Sequence, residues 1–338
     1  MIIDLRSDTV TKPSKAMLEA MMNAPVGDDV FAEDPTVIDL EQKASSLFNK
    51  AAGLFCPSGT MTNQIAIKCH TQPTDELLCD VNSHIYNYEA GGIAFNSGVQ
   101  AKLIQGDRGR LTALQIEEQI NPEYDWLTRT TLVSLENTVN RAGGSIYGLE
   151  EIKKIKQFCN TKNLKLHLDG ARIFNAIVES NYSSDDIGTQ FDTISICLSK
   201  GLGAPVGSLL LGDAAFIKKA RRIRKVFGGG MRQAGILAAA GIYALDNNIN
   251  RLTEDHQRAK QIEDCLKTQS YIKHILPVES NIVIFTLNDD YKSEHFEKLL
   301  AENHIKISAF GKQTIRMVTH LDFTDEMLNI VLSVLKKA

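Results

Sequence analysis

Lys165-Leu166-His167-Leu168-Asp169-Gly170-Ala171-Arg172 and, further on, Thr193-Ile194-Ser195-Ile196-Cys197-Leu198-Ser199-Lys200-Gly201-Leu202-Gly203 decide how this chain folds. Each is a short apolar run that ends on an ionisable side chain and then turns. One helix and one strand fill the gap from Asp169 to Lys200, so the two strand ends lie close together at one edge of a parallel sheet. A lysine directly after an apolar strand sends its ammonium into whatever lies beyond that edge, and the glycines after it allow a tight turn and close approach of a ligand. Partial desolvation lowers the pKa of such a lysine and frees its amine to form a Schiff base; the other reading is an exposed loop lysine. Asp169 at the same edge can keep a heteroaromatic ring nitrogen protonated. His167 shares a sheet face with Asp169 and reads as a packed core residue. Arg172 opens the next helix with a planar fork suited to a carboxylate or a ring oxygen.

The same alternation extends outward. Candidate strands are residues 52–56, 76–81, 100–105, 131–136, 164–169, 193–198 and 207–211. Candidate helices are 60–70, 85–92, 113–120, 149–161 and 172–178. Strands apolar on both faces, alternating with amphipathic helices, predict a mostly parallel sheet covered on both sides. Helices at 14–23 and from Pro35 precede this region. Residues 216–250 read as helical with a break at Gly228-Gly229-Gly230, and a long helix at 250–268 leads to strands at 281–287 and 314–318 and helices at 296–303 and 324–337. The expected division is an N-terminal arm and helix (1–25), a large domain (26–249) and a smaller C-terminal α+β domain (250–338).

Further polar stretches fall at strand ends. Pro57-Ser58-Gly59-Thr60 follows a strand and opens a helix, so the N–H groups of Gly59 and Thr60 point at any anion placed there; an ordinary capped helix looks the same. His84, with Glu89-Ala90-Gly91-Gly92 behind it, can stack on a planar ring or sit as a structural histidine. Arg6-Ser7-Asp8-Thr9 is a polar arm that can also merely cap a helix. Gly228-Gly229-Gly230-Met231-Arg232-Gln233 permits backbone approach to a ligand or serves as a hinge.

With 338 residues, a net charge of −4 and 43% hydrophobic residues, the chain has material for a large core and no overall basic bias toward nucleic acid. Lys218 to Lys225 is the one dense basic cluster. None of the six cysteines forms a C-x-x-C pair or a zinc spacing with histidines, so no metal site is read and the thiols suit a reducing cytoplasm. Acid and base in Met1-Ile2-Ile3-Asp4-Leu5-Arg6 replace the apolar stretch of a signal peptide.

Arg6-Ser7-Asp8-Thr9-Val10-Thr11, Val26-Gly27-Asp28-Asp29-Val30, His84 with Glu89 to Gly92, Leu135-Glu136-Asn137-Thr138, His167 to Arg172, Leu198 to Ser208, Gly228 to Gln233 and Val318-Thr319-His320-Leu321-Asp322 come in an order that resembles the threonine aldolases. These are pyridoxal-phosphate (PLP) lyases of fold-type I, the PLP-dependent transferase-like architecture. The resemblance spans nearly the whole chain. It implies that Lys200 carries PLP as a Schiff base, Asp169 pairs with the ring nitrogen and His84 stacks on the ring; His84, or a water it orients, is the candidate base. Gly59, Thr60, Ser199 and Arg232 take the phosphate, Arg172 serves cofactor and substrate, and Ser7, Arg172 and Arg316 grip the substrate carboxylate. The implied reaction is retro-aldol cleavage of L-threonine and L-allo-threonine to glycine and acetaldehyde in a cytoplasmic homotetramer, a dimer of dimers. The implied partner is a small β-hydroxy amino acid, with no nucleic acid or membrane. Two positions depart from familiar relatives: Trp126 stands where some carry histidine, and Val139 follows Leu-Glu-Asn-Thr where many carry histidine. Trp126 is therefore a candidate contact for the β-substituent. Another fold-type I lyase or transaminase, or a catalytically silent binding protein, are the competing readings.

Overall fold

A computed structural model describes residues 1–338. Seven strands form the main sheet: β1 (Ala52–Cys56), β2 (Asp75–Asp80), β3 (Gln100–Ile104), β4 (Arg129–Glu136), β5 (Lys165–Gly170), β6 (Thr193–Cys197) and β7 (Ser208–Gly212). Their spatial order is β1-β7-β6-β5-β4-β2-β3, and only β7 runs antiparallel to its neighbours. Every residue of β2, β6 and β7 is buried. Strands buried on both faces need helices on both faces, and the chain supplies them. The mostly parallel sheet expected from the sequence is what forms.

Four antiparallel strands make a second sheet, in the order Ser308–Ala309, Thr314–Val318, Ile282–Leu287 and Ile272–Ile275. Helices Leu252–Lys267, Ser293–Glu302 and Asp325–Leu335 complete this C-terminal layer around Phe285, Phe296, Met317 and Phe323. The N-terminal arm is sewn into it: Ile3–Asp4 pairs in parallel with Ile305–Lys306, Leu5 O accepts from Val318 N, and Ile3 and Leu5 enter the same core. The first residues of the chain thus start in the C-terminal layer and run from there to the edge of the main sheet.

Several elements differ from the sequence reading. Residues 85–92 are not one helix; the chain forms His84–Asn87, breaks through Ala90 and Gly91 at positive φ, and restarts at Gly92–Ser97. Helix Ser184–Gln190 had no apolar stripe to reveal it. Its start is fixed by a capping box between Ser183 and Asp186.

Close packing generates a stability test. A methyl added at Gly188 meets the backbone carbonyl oxygen of Phe48 at 1.7 Å, whereas one added at Gly148 meets nothing within 4 Å. Gly188→Ala is expected to destabilise the fold by more than about 2 kcal/mol and Gly148→Ala to leave it within about 1 kcal/mol. Equal denaturation midpoints for the two variants would contradict this packing.

Candidate active site

The C-terminal ends of β4, β5 and β6 place Glu136, Asp169 and Lys200 along one edge, with Glu136 and Asp169 in register. Lys200 lies three residues beyond β6 in a loop held by three bonds: Gly203 N donates to Lys200 O at 2.8 Å, Ala204 N to Leu198 O at 3.1 Å, and Thr11 Oγ1 to Lys200 O at 2.9 Å. Gly203 closes that turn at φ +80°, a conformation other residues adopt at a cost. Lys200 and Ser199 are half-buried.

Asp8, carried in by the arm, is wholly buried. Arg172 donates to it through Nε (2.7 Å to Oδ2) and Nη2 (2.7 Å to Oδ1), and Asn281 Nδ2 approaches Oδ2 at 3.3 Å. Burial alone favours the protonated acid. The Arg172 guanidinium and then the Lys200 ammonium overcome it and hold Asp8 at about 2. Arg172 therefore spends two of its nitrogens on Asp8 and keeps Nη1, 3.4 Å from Asn140 Oδ1, toward the site. Arg316 donates from Nη1 to Asn140 Oδ1 (2.9 Å) and from Nη2 to Arg6 O (3.0 Å). Both are neutral acceptors, whereas a carboxylate can take a guanidinium through two parallel charge-assisted bonds. Ser7, half-buried beside Asp8, accepts from Thr9 N at 3.3 Å.

Helix Gly59–His70 starts at this edge and crosses beneath it. An added Cβ at Gly59 would lie 2.6 Å from Cys197 Sγ, so only glycine lets the helix begin this close to the end of β6. Ser58 caps Met61 N, and the N–H groups of Gly59 and Thr60 have no partner within the chain. The helix turns its buried polar face, Thr62-Asn63-Gln64, to the site. Thr62 Oγ1 bonds Ser195 Oγ at 2.6 Å. Asn63 Nδ2 donates to Asp169 Oδ2 (3.0 Å) and Glu89 Oε1 (2.9 Å), and Gln64 Nε2 donates to Glu89 Oε2 (2.6 Å). Ala171 N donates to Asp169 Oδ1 at 3.2 Å.

His84 meets Glu89 Oε1 through Nδ1 at 3.1 Å, and about a third of its side chain is exposed. Burial disfavours the charged ring, but the Glu89 bond and the Asp169 and Glu136 carboxylates prevail and raise its pKa. Glu136 is also pushed up, from the ordinary carboxyl range to about 7, by burial and then by Asp169, against backbone N–H bonds from Asn140 and His84. One donor atom each from His84, Glu89 and Asp169 lie within 4.8 Å of one another. A cation there would have to displace the Asn63 amide from both carboxylates.

Two residues singled out in the sequence stand apart from this group. Arg232 is exposed and bonds Asp28 Oδ2 at 2.9 Å, although its glycine loop packs on Met61 in the first turn of helix Gly59–His70. Trp126 precedes β4 and lies at the opposite edge of the sheet, a strand of roughly 25 Å away from Glu136. It is 77% exposed and stacks on Tyr124 at 4.7 Å. Within one chain it does not meet the other site residues. Val139 is buried against Gly109 in the main core and cannot touch a ligand. Asp8, Asn63, Glu89, Glu136 and Asn140 were not picked out as site residues from the sequence. A run of three polar residues, Thr62-Asn63-Gln64, directly before the apolar Ile65-Ala66-Ile67 was the available signal.

The side chains present fit pyridoxal phosphate: an amine for an aldehyde, a carboxylate for a pyridine nitrogen, an imidazole beside it and free N–H groups at a helix start for a phosphate. Sheet order and site together define a PLP-dependent enzyme of fold-type I. Residues 4–289 match the family described as beta-eliminating lyase. The chain is 44% identical to the low specificity L-threonine aldolase of Escherichia coli K12, across 97% of this chain and 96% of that one. It is 38% identical to low-specificity L-threonine aldolase 1 of Arabidopsis thaliana, across 99% and 96%. A threonine aldolase structure from Leishmania major superimposes with a TM-score of 0.86 at 22% identity, covering 99% of both chains. The chain belongs to the threonine aldolase family of beta-eliminating lyases.

The Asp8–Arg172 pair yields a test. Asp8's native value of about 2 lies below the ordinary 3.8, so its contribution, roughly 2 kcal/mol, is complete above about pH 4 and fades as pH falls toward 2. Asp8→Ala leaves Arg172 buried and unpaired and should cost about 3–5 kcal/mol at neutral pH. Urea titrations from pH 7 to pH 3 should show that gap narrowing with acid; a gap that widens refutes the assignment.

Proposed function

We propose that this protein cleaves L-threonine and L-allo-threonine to glycine and acetaldehyde. The observation that carries the reading is the convergence of Lys200, Asp169, His84 and Arg172 on one sheet edge in a chain that matches threonine aldolases over almost its full length. Lys200 would hold the aldehyde carbon of PLP and Asp169 its ring nitrogen. His84 would lie on the ring face and Arg172 near the ring oxygen. Gly59, Thr60, Ser199 and, after leaving Asp28, Arg232 would hold the phosphate. When bound, the cofactor supplies an electron sink conjugated to the substrate's Cα.

The chain's own residues do the rest. Arg316, Ser7 and the free side of Arg172 grip the substrate carboxylate, which fixes the Cα–Cβ bond relative to the sheet edge. His84 keeps Nδ1 on Glu89, while Nε2 has no partner in the chain and is the atom that takes the β-hydroxyl proton. The Glu89 bond supports the positive ring that results.

The proposal extends to assembly and place. Exposed Phe31, Phe95 and Trp126 suit a homotetramer, a dimer of dimers, in the cytoplasm. A large domain at 26–249 then carries the cofactor, with the arm (1–25) and a small domain at 250–338. In such an assembly Trp126 reaches substrate only across a subunit boundary.

Purified protein loaded with PLP should release glycine and acetaldehyde in equal amounts from both threonine diastereomers. Formation of 2-oxobutyrate or an amino-group transfer product instead favours another fold-type I reaction. Lys200→Ala should abolish both the visible absorption and the cleavage while the circular dichroism persists; normal turnover refutes its role. Trp126→His should alter the ratio of kcat/KM for the two diastereomers, because a polar group placed on the β-hydroxyl discriminates where indole does not. An unchanged ratio removes Trp126 from the substrate pocket.

A further inference from the structure

Asn63 lies at the centre of a buried run of hydrogen bonds in which each direction is dictated by the next. Asp169 and Glu89 take both of its N–H hydrogens, so Oδ1 must face His167, whose Nε2 is 3.1 Å away. That oxygen only accepts, so His167 must carry its proton on Nε2. Burial lowers His167 to about 4, which leaves the ring neutral and Nδ1 bare. The Thr193 hydroxyl, 2.9 Å from Nδ1, must then donate, and it accepts in turn from His70 Nε2 at 2.9 Å. His70 sits at the opposite edge of the sheet, beside a cavity of about 890 Å³. A neutral amide is neither acid nor base at ordinary pH, so the run orients groups and does not conduct protons through Asn63.

We propose that Asn63 and His167 are positioning residues, a tautomer lock that sets Asp169 under the cofactor's ring nitrogen and Glu89 against His84. The reason is electrostatic. The two carboxylates face each other within 4.8 Å, with His84 beside them and Glu136 next to Asp169 in register. A single amide that gives one hydrogen to each is what keeps both carboxylates aimed at separate targets. Its orientation is fixed from behind by His167. Without that partner the amide can turn its oxygen toward a carboxylate, and both lose aim at once.

The inference rests on the proposed PLP site, and the test separates the two. In protein labelled with ¹⁵N at histidine and free of cofactor, the ring correlations of His167 should show the Nε2–H tautomer; the Nδ1–H tautomer overturns the lock whatever the protein binds. His167→Leu should raise the half-saturating PLP concentration about tenfold and shift the visible band, since a buried acceptor is left unpaired and the carboxylate behind it is freed. His167→Gln, whose amide places a donor near the position of Nε2, should restore both. Identical binding and spectra for the two variants overturn the lock, as does parent-like binding and absorption in His167→Leu. A parent protein that gains no visible band with PLP overturns the cofactor reading instead, while the tautomer result stands by itself.

Discussion

The bidentate contact of Arg172 with Asp8 is the constraint around which the molecule is arranged. Arg172 begins the helix after β5, and Asp8 sits on an arm whose preceding residues pair with Ile305–Lys306 and bond Val318 in the C-terminal layer. Asn281, from the entry to a strand of that sheet, touches the same carboxylate. One buried ion pair therefore fastens main sheet, arm and C-terminal layer at the point where chemistry is to occur. Two fully desolvated charges persist there only because the geometry is bidentate and the remaining carboxylate valence is filled. The Lys200 ammonium is part of the same balance, since it helps keep Asp8 ionised.

That arrangement also explains the position of the arm's other polar residues. Thr11 reaches the backbone of Lys200, Ser7 lies beside Asp8, and the carbonyl of Arg6 receives Arg316. A segment whose one regular element after Ile3–Asp4 is the short helical turn Asp8–Val10 is kept in place by side chains of the candidate site itself. Its rigidity is borrowed from the site, and the site's closure from it.

The strands and the residues at their ends were legible in the sequence because both depend on local pattern. An apolar run of five to eight residues buried on two faces looks the same wherever it occurs, and Asp169 and Lys200 are conspicuous because they interrupt such runs. Asp8, Asn63, Glu89 and Asn140 were not legible, because each acquires its place from a partner far away in the chain: Asp8 from Arg172, Asn63 from His167 and Asp169, Glu89 from Asn63 and Gln64, and Asn140 from Arg316. Trp126 shows the converse. Its identity drew attention, but its place in the chain, just before β4 and not after it, puts it at the wrong edge for a contact within one chain. Val139, also conspicuous by comparison with relatives, is removed by burial behind Gly109.

What remains is a problem of supply: which group can accept a proton from a β-hydroxyl. Lysine and arginine side chains that pair with carboxylates cannot, and Asp8 is held as a counter-ion. Among the imidazoles, His167 and His256 have both nitrogens bonded, and His320 uses Nε2 on Asp4 O and Nδ1 on Asp322 N. His70 lies at the far edge of the sheet, and His274, His295 and His304 belong to the C-terminal layer. His84 alone combines a ring nitrogen without a partner in the chain, partial exposure at the catalytic edge and a carboxylate on its other nitrogen to stabilise the proton it gains. Trp126 and Val139 offer no basic atom in place of the histidines some relatives carry, so in the proposed reaction proton removal is assigned to the His84 imidazole. A site with one base and no second polar contact on the β-carbon can abstract the proton from either diastereomer but has little with which to tell them apart.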